Sequence, residues 1–306
     1  MDRVGLRTGS AAQPKTRSGF IALGGRPNVG KSTLANAIVG AKVAIVSDKP
    51  QTTRRAIRGI ATGPGWQLVL VDLPGVQRPR DALTERMQRR VERELADADG
   101  CLFVVNANEG IGPGDRFIAG LLGNAPVPVV IAVNKLDTVS RAEAVATLQA
   151  AADLELADDV FPVSARTGSG VSPLTEHLVS LLPEGPLYFE PSQHSDQPKE
   201  VWLAELVREQ VLRRTREEIP HAVEVQVEAV ESGPDLVRIE AVLLVETESQ
   251  KGILIGARGR MIKSIGMAAR QAIERELDRH VHLELTVRVR RHWRADERML
   301  DRLGIE

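Results

Sequence analysis

Between Phe20 and Pro183, short apolar runs alternate with longer stretches in which apolar positions recur every three or four residues. FIAL, WQLVLVD, CLFVVNA, VPVVIAVN and VFPVSA predict buried strands, each ending in a small or polar cluster. KSTLANAIVG and LTERMQRRVERELADA predict helices between them. Strand then helix, repeated, predicts a doubly wound α/β domain with a mostly parallel sheet, whose ligands sit at the carboxyl ends of the strands. PEGPLYFEPSQHSDQPKE then breaks the rhythm with four prolines and no periodicity, as a linker would. A helix over WLAELVREQVLRRTREEI follows, then two alternating runs, AVEVQVEAV and LVRIEAVLLVE, joined by the turn-forming ESGPD. After ILIGARGRMIKSIG come a helix through AARQAIERELDR, the alternating strand VHLELTVRVRR and a short helix in HWRADERMLDRLG. The expected division is a disordered tail over 1–19, a first domain over 20–183, a linker over 184–199 and an α+β domain over 200–306.

A length of 306 residues suits two domains, and 42% apolar with 26% charged residues is ordinary globular composition. The net charge of −1 gives no hint of nucleic acid, but Lys251–Glu306 holds 13 Lys and Arg against 8 Asp and Glu. Cys101 is the one cysteine, so a disulfide within the chain and a Cys-rich metal site are excluded. It lies in an apolar run and reads as a small core residue. The six histidines show no metal-ligand spacing. No run approaches the length of a membrane span, and the first nineteen residues lack a signal peptide's apolar segment. A cytoplasmic protein is expected.

The first chemical motif is Gly25-Arg26-Pro27-Asn28-Val29-Gly30-Lys31-Ser32, followed by Thr33, which fits G-x-x-x-x-G-K-[ST]. It follows a strand and opens a helix, where glycines let backbone N–H groups turn toward phosphate oxygens and the helix dipole adds to the attraction. Lys31 can reach the outer phosphates and Ser32 can ligate magnesium. Asp72-Leu73-Pro74-Gly75 follows another strand, so Asp72 can hold magnesium through water and Gly75 can give an N–H to a terminal phosphate. Asn134-Lys135-Leu136-Asp137 follows a third, and a carboxylate there accepts from the ring N–H and exocyclic amine of guanine, a donor pair adenine lacks. Ser164-Ala165-Arg166 follows a fourth, where a backbone N–H can meet the guanine oxygen. Each motif beyond the first is weak alone; four in order, each after a strand, resemble a translation-factor-type GTPase domain.

That resemblance implies GTP and GDP binding, Mg2+ and a switch mechanism. It places switch I at Gln51–Arg55 and puts a magnesium-binding threonine there; Thr53 aligns best, with Thr52 its neighbouring alternative. The expected magnesium set is Ser32, Thr53 and Asp72. Small GTPases carry a water-orienting glutamine after DxxG; here the position is Val76, so no side-chain base is expected and intrinsic hydrolysis should be slow, with acceleration by a partner. Lys31 and Asn28 remain as stabilisers of charge. Asn28 resembles the loop asparagine that helps some GTPases hold K+ against the phosphates; the alternative is that it only shapes the loop.

The second glycine-rich loop, Gly256-Ala257-Arg258-Gly259, lacks G-K-[ST]. Its setting, helix–strand–strand–helix–GxxG–helix–strand, resembles a type II KH domain, an RNA-binding module. In such domains GxxG admits a single-stranded backbone. Arg258, Arg260 and Lys263 would supply charge, and Ile253, Ile255 and Ile262 would floor a groove for bases. One GTPase domain followed by one such KH domain resembles the Era family over nearly the whole chain after the tail. This implies binding of 16S ribosomal RNA near its 3′ end and a role in 30S subunit assembly by a monomer. It also implies peripheral contact with the inner face of the membrane, for which the sequence offers no lipid motif. The rivals are an RNA-binding assembly factor in which GTP is structural, and a metabolic P-loop kinase or ATPase, against which NKLD argues. Double-G-domain ribosome factors would need a second P-loop, and tRNA-modifying GTPases a terminal cysteine that this chain lacks. Trp293 and His292 lie in the basic tail; either they stack on bases, or Trp293 pins the last helix. Trp202 opens an amphipathic helix and reads as core.

Overall fold

The computed structural model describes residues 16–49, 52–75, 81–124, 126–157 and 159–305. Val76 and residues 1–15 of the expected tail lie outside them.

The first domain runs β1 (Arg17–Gly24), α1 (Lys31–Val39), β2 (Ile57–Gly63), β3 (Trp66–Asp72), α2 (Ala82–Asp97), β4 (Gly100–Asn106), α3 (Pro113–Leu122), β5 (Val129–Asn134), α4 (Arg141–Ala152), β6 (Val160–Pro162) and α5 (Val171–Leu181). The sheet order is β2-β3-β1-β4-β5-β6, parallel except for β2, which runs antiparallel to β3. Its strands are apolar on both faces because both are covered. Ile21 and Leu23 pack with α1 and α5, while Ala22 faces Val91, Ile118 and Leu122 of α2 and α3. The sequence pattern missed β2: its segment carries Arg58 and two glycines, and it becomes a strand through pairing with β3 across a turn with Gly65 at φ 77°.

The second domain runs α6 (Lys199–Arg214), α7 (Ile219–Ala222), β7 (Glu224–Ser232), β8 (Leu236–Val245), α8 (Glu248–Ile255), α9 (Arg260–Leu277), β9 (His280–Val289) and α10 (Glu297–Arg302). β7 pairs antiparallel with β8, and β8 parallel with β9, so α8 and α9 form the crossover that a parallel pair requires. Leu203, Val207 and Val211 of α6 and Ile265, Ala269 and Ile273 of α9 meet Val237, Ile239 and Ala241 of the sheet. No helix among the described residues is long and apolar enough to cross a membrane.

Two boundaries move. β1 begins at Arg17, three residues ahead of the expected domain start, because its N-terminal end pairs with β3 from Trp66 onward. The expected linker is bonded to the first domain: the Tyr188 and Phe189 N–H groups donate to Gln67 Oε1 at 2.8 and 2.9 Å, and Ile60 N–H donates to the His194 carbonyl at 2.8 Å. The rival reading of Trp293 as a base-stacking residue is also corrected. Its ring is fully buried with Leu83 and Met87 of α2 and Leu300 of α10, and its Nε1 donates to the Ala222 carbonyl at 2.9 Å. It is the pin that the alternative reading describes.

Candidate functional site

The P-loop joins β1 to α1 and demands glycine at both ends. Gly25 has φ 145° and Gly30 φ 101°; a Cβ would lie 2.5 Å from the Val104 carbonyl oxygen at the first and 2.3 Å from Asn134 Nδ2 at the second. The bend turns the N-terminus of α1 toward a cleft lined by Pro27, Asn28, Lys31, Ser32, Thr33 and Thr53, among others. Val29 faces the core instead, and its carbonyl accepts from Asn134 Nδ2 at 3.0 Å. The Arg26 side chain turns away from the cleft to Asp115 and Glu109, 2.9 Å from each, so only its backbone serves the loop. Asn28, at φ 65°, donates its side-chain amide to the Asp48 carbonyl at 2.8 Å, tying the P-loop to the segment opposite.

Lys31 is buried, and its Nζ donates to the Gly25 and Arg26 carbonyls at 3.0 Å each. Burial lowers its pKa to about 8, against the opposing pull of Asp72. A phosphate would restore the charge. Free Lys31 therefore loses its proton as pH rises past about 8, whereas the bound ammonium keeps it. Affinity for GDP in EDTA is expected to be full well below that pH and to fall roughly fourfold between about pH 7 and 8.5. Equilibrium binding in a series of buffers checks this; a flat profile over that window would refute it.

Around Asp72 the oxygens expected for magnesium do converge. Ser32 Oγ donates to Asp72 Oδ2 at 2.6 Å, Thr53 Oγ1 to the same oxygen at 3.3 Å, and the two hydroxyls lie 3.1 Å apart. Thr52 instead donates to the Lys49 carbonyl at 2.6 Å, whereas the Thr53 hydroxyl stands beside Ser32 and Asp72. Asp72 Oδ1 is buried with no hydrogen-bond partner among the described residues. Its carboxyl is pushed up by burial, against Lys31 and the two hydroxyls. Three hard oxygen donors and an orphaned carboxylate oxygen suit Mg2+. Leu73 is a core residue, whereas Gly75 lies against the P-loop: a Cβ there would sit 2.8 Å from Pro27 Cγ.

On the far side, Asn134 binds the loops together rather than pointing outward: its Nδ2 holds Val29 and its Oδ1 accepts from Ala165 N–H at 3.0 Å. Lys135 Nζ donates to the Asn28 carbonyl at 2.6 Å. Ser164 Oγ donates to Asp137 Oδ1 at 2.6 Å, and Arg166 lies 2.5 Å from Oδ2. The Ser164 bond, then the Arg166 charge, hold the Asp137 carboxyl below the usual range, so it is an ionised acceptor. A guanine would compete with Asn134 for the Ala165 N–H, or take the Arg166 N–H, which has no partner among the described residues.

In the second domain, Ala257–Gly259 forms a single turn between α8 and α9, with Gly256 at φ 68°, Arg258 at φ 54° and Gly259 at φ 74°. Arg258, Arg260, Lys263, Ala257 and Ile253 are exposed, while Ile255 and Ile262 are half-buried against the second core. Exposed basic side chains thus cluster along the chain at the N-terminus of an eighteen-residue helix, between half-buried apolar residues. The sequence did not reveal Arg54, Arg55, Glu205, Arg208 and Glu224, which bond the two domains together. Arg54 and Arg55 stand in the QTTRR motif, but their carboxylate partners lie at least 150 positions away.

A family model described as 50S ribosome-binding GTPase matches residues 20–135, and a KH domain model matches 218–294. The GTPase Era of Carboxydothermus hydrogenoformans is 44% identical over 291 residues, which is 94% of this chain and 97% of that protein. The GTPase Era of Mycobacterium tuberculosis is 45% identical over 294 residues, 94% and 98% of the two chains. Among solved structures, Era in complex with MgGDPNP and nucleotides 1506–1542 of 16S ribosomal RNA superposes with a TM-score of 0.90 at 33% identity, covering 95% of this chain and 99% of that one. A point variant of Aquifex aeolicus Era bound to GDP.AlF4− gives a TM-score of 0.89 at 33% identity, with the same coverage. With near-complete coverage of both domains at this identity, the chain belongs to the Era family of GTPases.

Proposed function

We propose that this GTPase uses its nucleotide to control how its KH domain grips the 3′ region of 16S ribosomal RNA during assembly of the small ribosomal subunit. The observation that carries the reading is the pairing, in one chain, of the converged Ser32–Thr53–Asp72 and Asp137–Ser164 clusters with an exposed basic GxxG loop. A relative of the same fold holds a Mg-nucleotide and a 16S fragment together.

Ser32 and Thr53 would ligate Mg2+ and Asp72 would hold it through water; the ion supplies charge neutralisation on the β- and γ-phosphates. Lys31 stabilises the same phosphates, Gly75 offers its backbone to the terminal one, and Asp137 selects guanine. Positioning and electrostatics therefore carry the reaction. At the other end, Gly256 and Gly259 let the RNA backbone approach, and Arg258, Arg260 and Lys263 neutralise its phosphates.

The test is binding of a short single-stranded RNA with the 16S 3′ sequence, at one salt concentration, with GDP and with a non-hydrolysable GTP analogue. Tighter binding with the analogue is expected. Equal affinity in both states would remove nucleotide control and leave a constitutive RNA-binding factor.

A further inference from the structure

The side chains of the two residues that follow Thr53 reach out of the GTPase domain into the second domain. Arg54 is fully buried in the other domain: its Nη1 donates to the Val223 carbonyl at 2.6 Å and Glu224 Oε2 at 2.8 Å. Its Nη2 donates to the carbonyls of Pro220 and His221 at 3.1 and 3.0 Å, at the end of α7, and its guanidinium lies 5.5 Å from the centre of the Trp293 ring. Arg55 donates to Glu205 Oε1 at 2.8 Å and twice to the Leu303 carbonyl, at 2.6 and 2.9 Å, and reaches Glu224 Oε1 at 3.4 Å. The traffic also runs the other way. Arg208 of α6, held by Glu205, donates to the Thr52 carbonyl, and Glu209 accepts from Val46 N–H at 3.1 Å and Lys42 at 2.7 Å. The segment that carries Thr53 is therefore gripped at Val46, Thr52, Arg54 and Arg55 by α6, α7, β7 and the C-terminal turn.

This grip is costly as a source of stability. Arg54, Arg55, Arg208, Glu205 and Glu224 bring three positive and two negative charges out of water, and Arg54 Nε and Arg208 Nη1 have no partner among the described residues. Buried ion clusters of this kind are often no more stabilising than apolar packing. What directional, multiply bonded guanidinium groups do supply is a fixed register between the segments they join. Burial works against the Glu224 charge, and Arg55, Arg54 and Arg208 overcome it and keep the carboxylate ionised.

We propose that Glu224 is a positioning residue for the magnesium site: acting through Arg54 and Arg55, it fixes Thr53 beside Ser32 and Asp72, so the RNA-binding domain is a working part of nucleotide hydrolysis. The proposal rests on the reading of Thr53 as a magnesium ligand. It adds that the ligand's placement is set from across the domain boundary, and by linkage any movement of α7 and β7 on RNA binding is felt at magnesium.

The test uses the full-length protein with Glu224→Gln, Glu224→Asp and Thr53→Ala. Two quantities are read: the Mg2+ concentration giving half-maximal GTP hydrolysis, and the slowing of amide hydrogen exchange over residues 52–58 when Mg2+ is added to the GTP-analogue complex. In Glu224→Gln the half-maximal Mg2+ concentration is expected to rise roughly fivefold or more, with the slowing of exchange lost and GDP binding in EDTA unchanged. Glu224→Asp, which keeps the charge, should recover part of both. A folded Glu224→Gln protein that matches the unaltered one in both readouts overturns the proposal, provided Thr53→Ala shifts them. If Thr53→Ala also changes neither, the magnesium reading itself is what fails. If Glu224→Gln does not fold, Arg55→Gln, which leaves the Arg54–Glu224 pair intact, takes its place under the same criteria.

Discussion

Asp137→Asn is expected to lower affinity for GDP and GTP by roughly 10^3-fold or more and to turn the site toward xanthosine nucleotides. The carboxylate is an acceptor at both oxygens, and guanine presents two donors, the ring N–H and the exocyclic amine. An asparagine keeps one acceptor and sets its own NH2 against that amine, leaving a buried donor unpaired. Xanthine carries a carbonyl where guanine carries the amine, so the asparagine NH2 finds an acceptor there. The fold should tolerate the change. Ser164 Oγ can still donate to the remaining carbonyl oxygen, and the lost Arg166 partner is an exposed side chain whose ion pair adds little stability. Competition binding of GDP and xanthosine diphosphate against one labelled nucleotide decides it. A GDP affinity within tenfold of the unaltered protein would mean that Asp137 does not read the base.

How far the sequence reaches is set by the distance over which each feature is encoded. The P-loop is legible because a strand end, two glycines with positive φ and the first turn of α1 lie within sixteen consecutive residues. Asp72, Asp137 and Ser164 were legible for the same reason: each stands at or just beyond the end of an apolar strand whose register carries it to the same edge of the sheet. The pattern could not see β2, which owes its existence to β3 more than to its own alternation. Nor could it choose a place for Trp293. An aromatic residue in a basic tail is equally compatible with a base or a core, and only the approach of α2 beneath β8 settles which. Arg54 and Arg55 are the strongest case. Two arginines in a polar loop read as solvated, yet Arg54 is buried and Arg55 mostly covered because carboxylates and carbonyls from residues 205–303 converge on them. A pairing between segments so far apart leaves no local periodicity to detect.

The two glycines of the second loop differ in a way that lets RNA binding be separated from folding. At Gly256 a Cβ would lie 2.7 Å from Met261 Cβ and 3.0 Å from Met261 N, at φ 68° and ψ 172°. A side chain there would displace the start of α9, so lost binding in Gly256→Asp would say little about the groove. At Gly259 nothing lies within 4 Å of the added Cβ, and φ 74° with ψ 12° is left-handed backbone that Asp adopts at a cost of roughly 1 kcal/mol. The residue also precedes the first turn of α9, where the helix dipole favours a negative charge and offsets part of that cost. Gly259→Asp should therefore fold with a melting temperature close to that of the unaltered protein. It would nevertheless set a negative charge between Arg258 and Arg260, at one of the two glycines proposed to admit an RNA backbone, and compete with phosphate for the helix N-terminus. RNA affinity is expected to fall roughly 10- to 100-fold, and the dependence of log affinity on log salt to flatten by about one phosphate contact. Binding isotherms at three salt concentrations, with GTP binding as the control for the first domain, measure both. Unchanged RNA affinity in the folded variant would move the RNA path away from this loop.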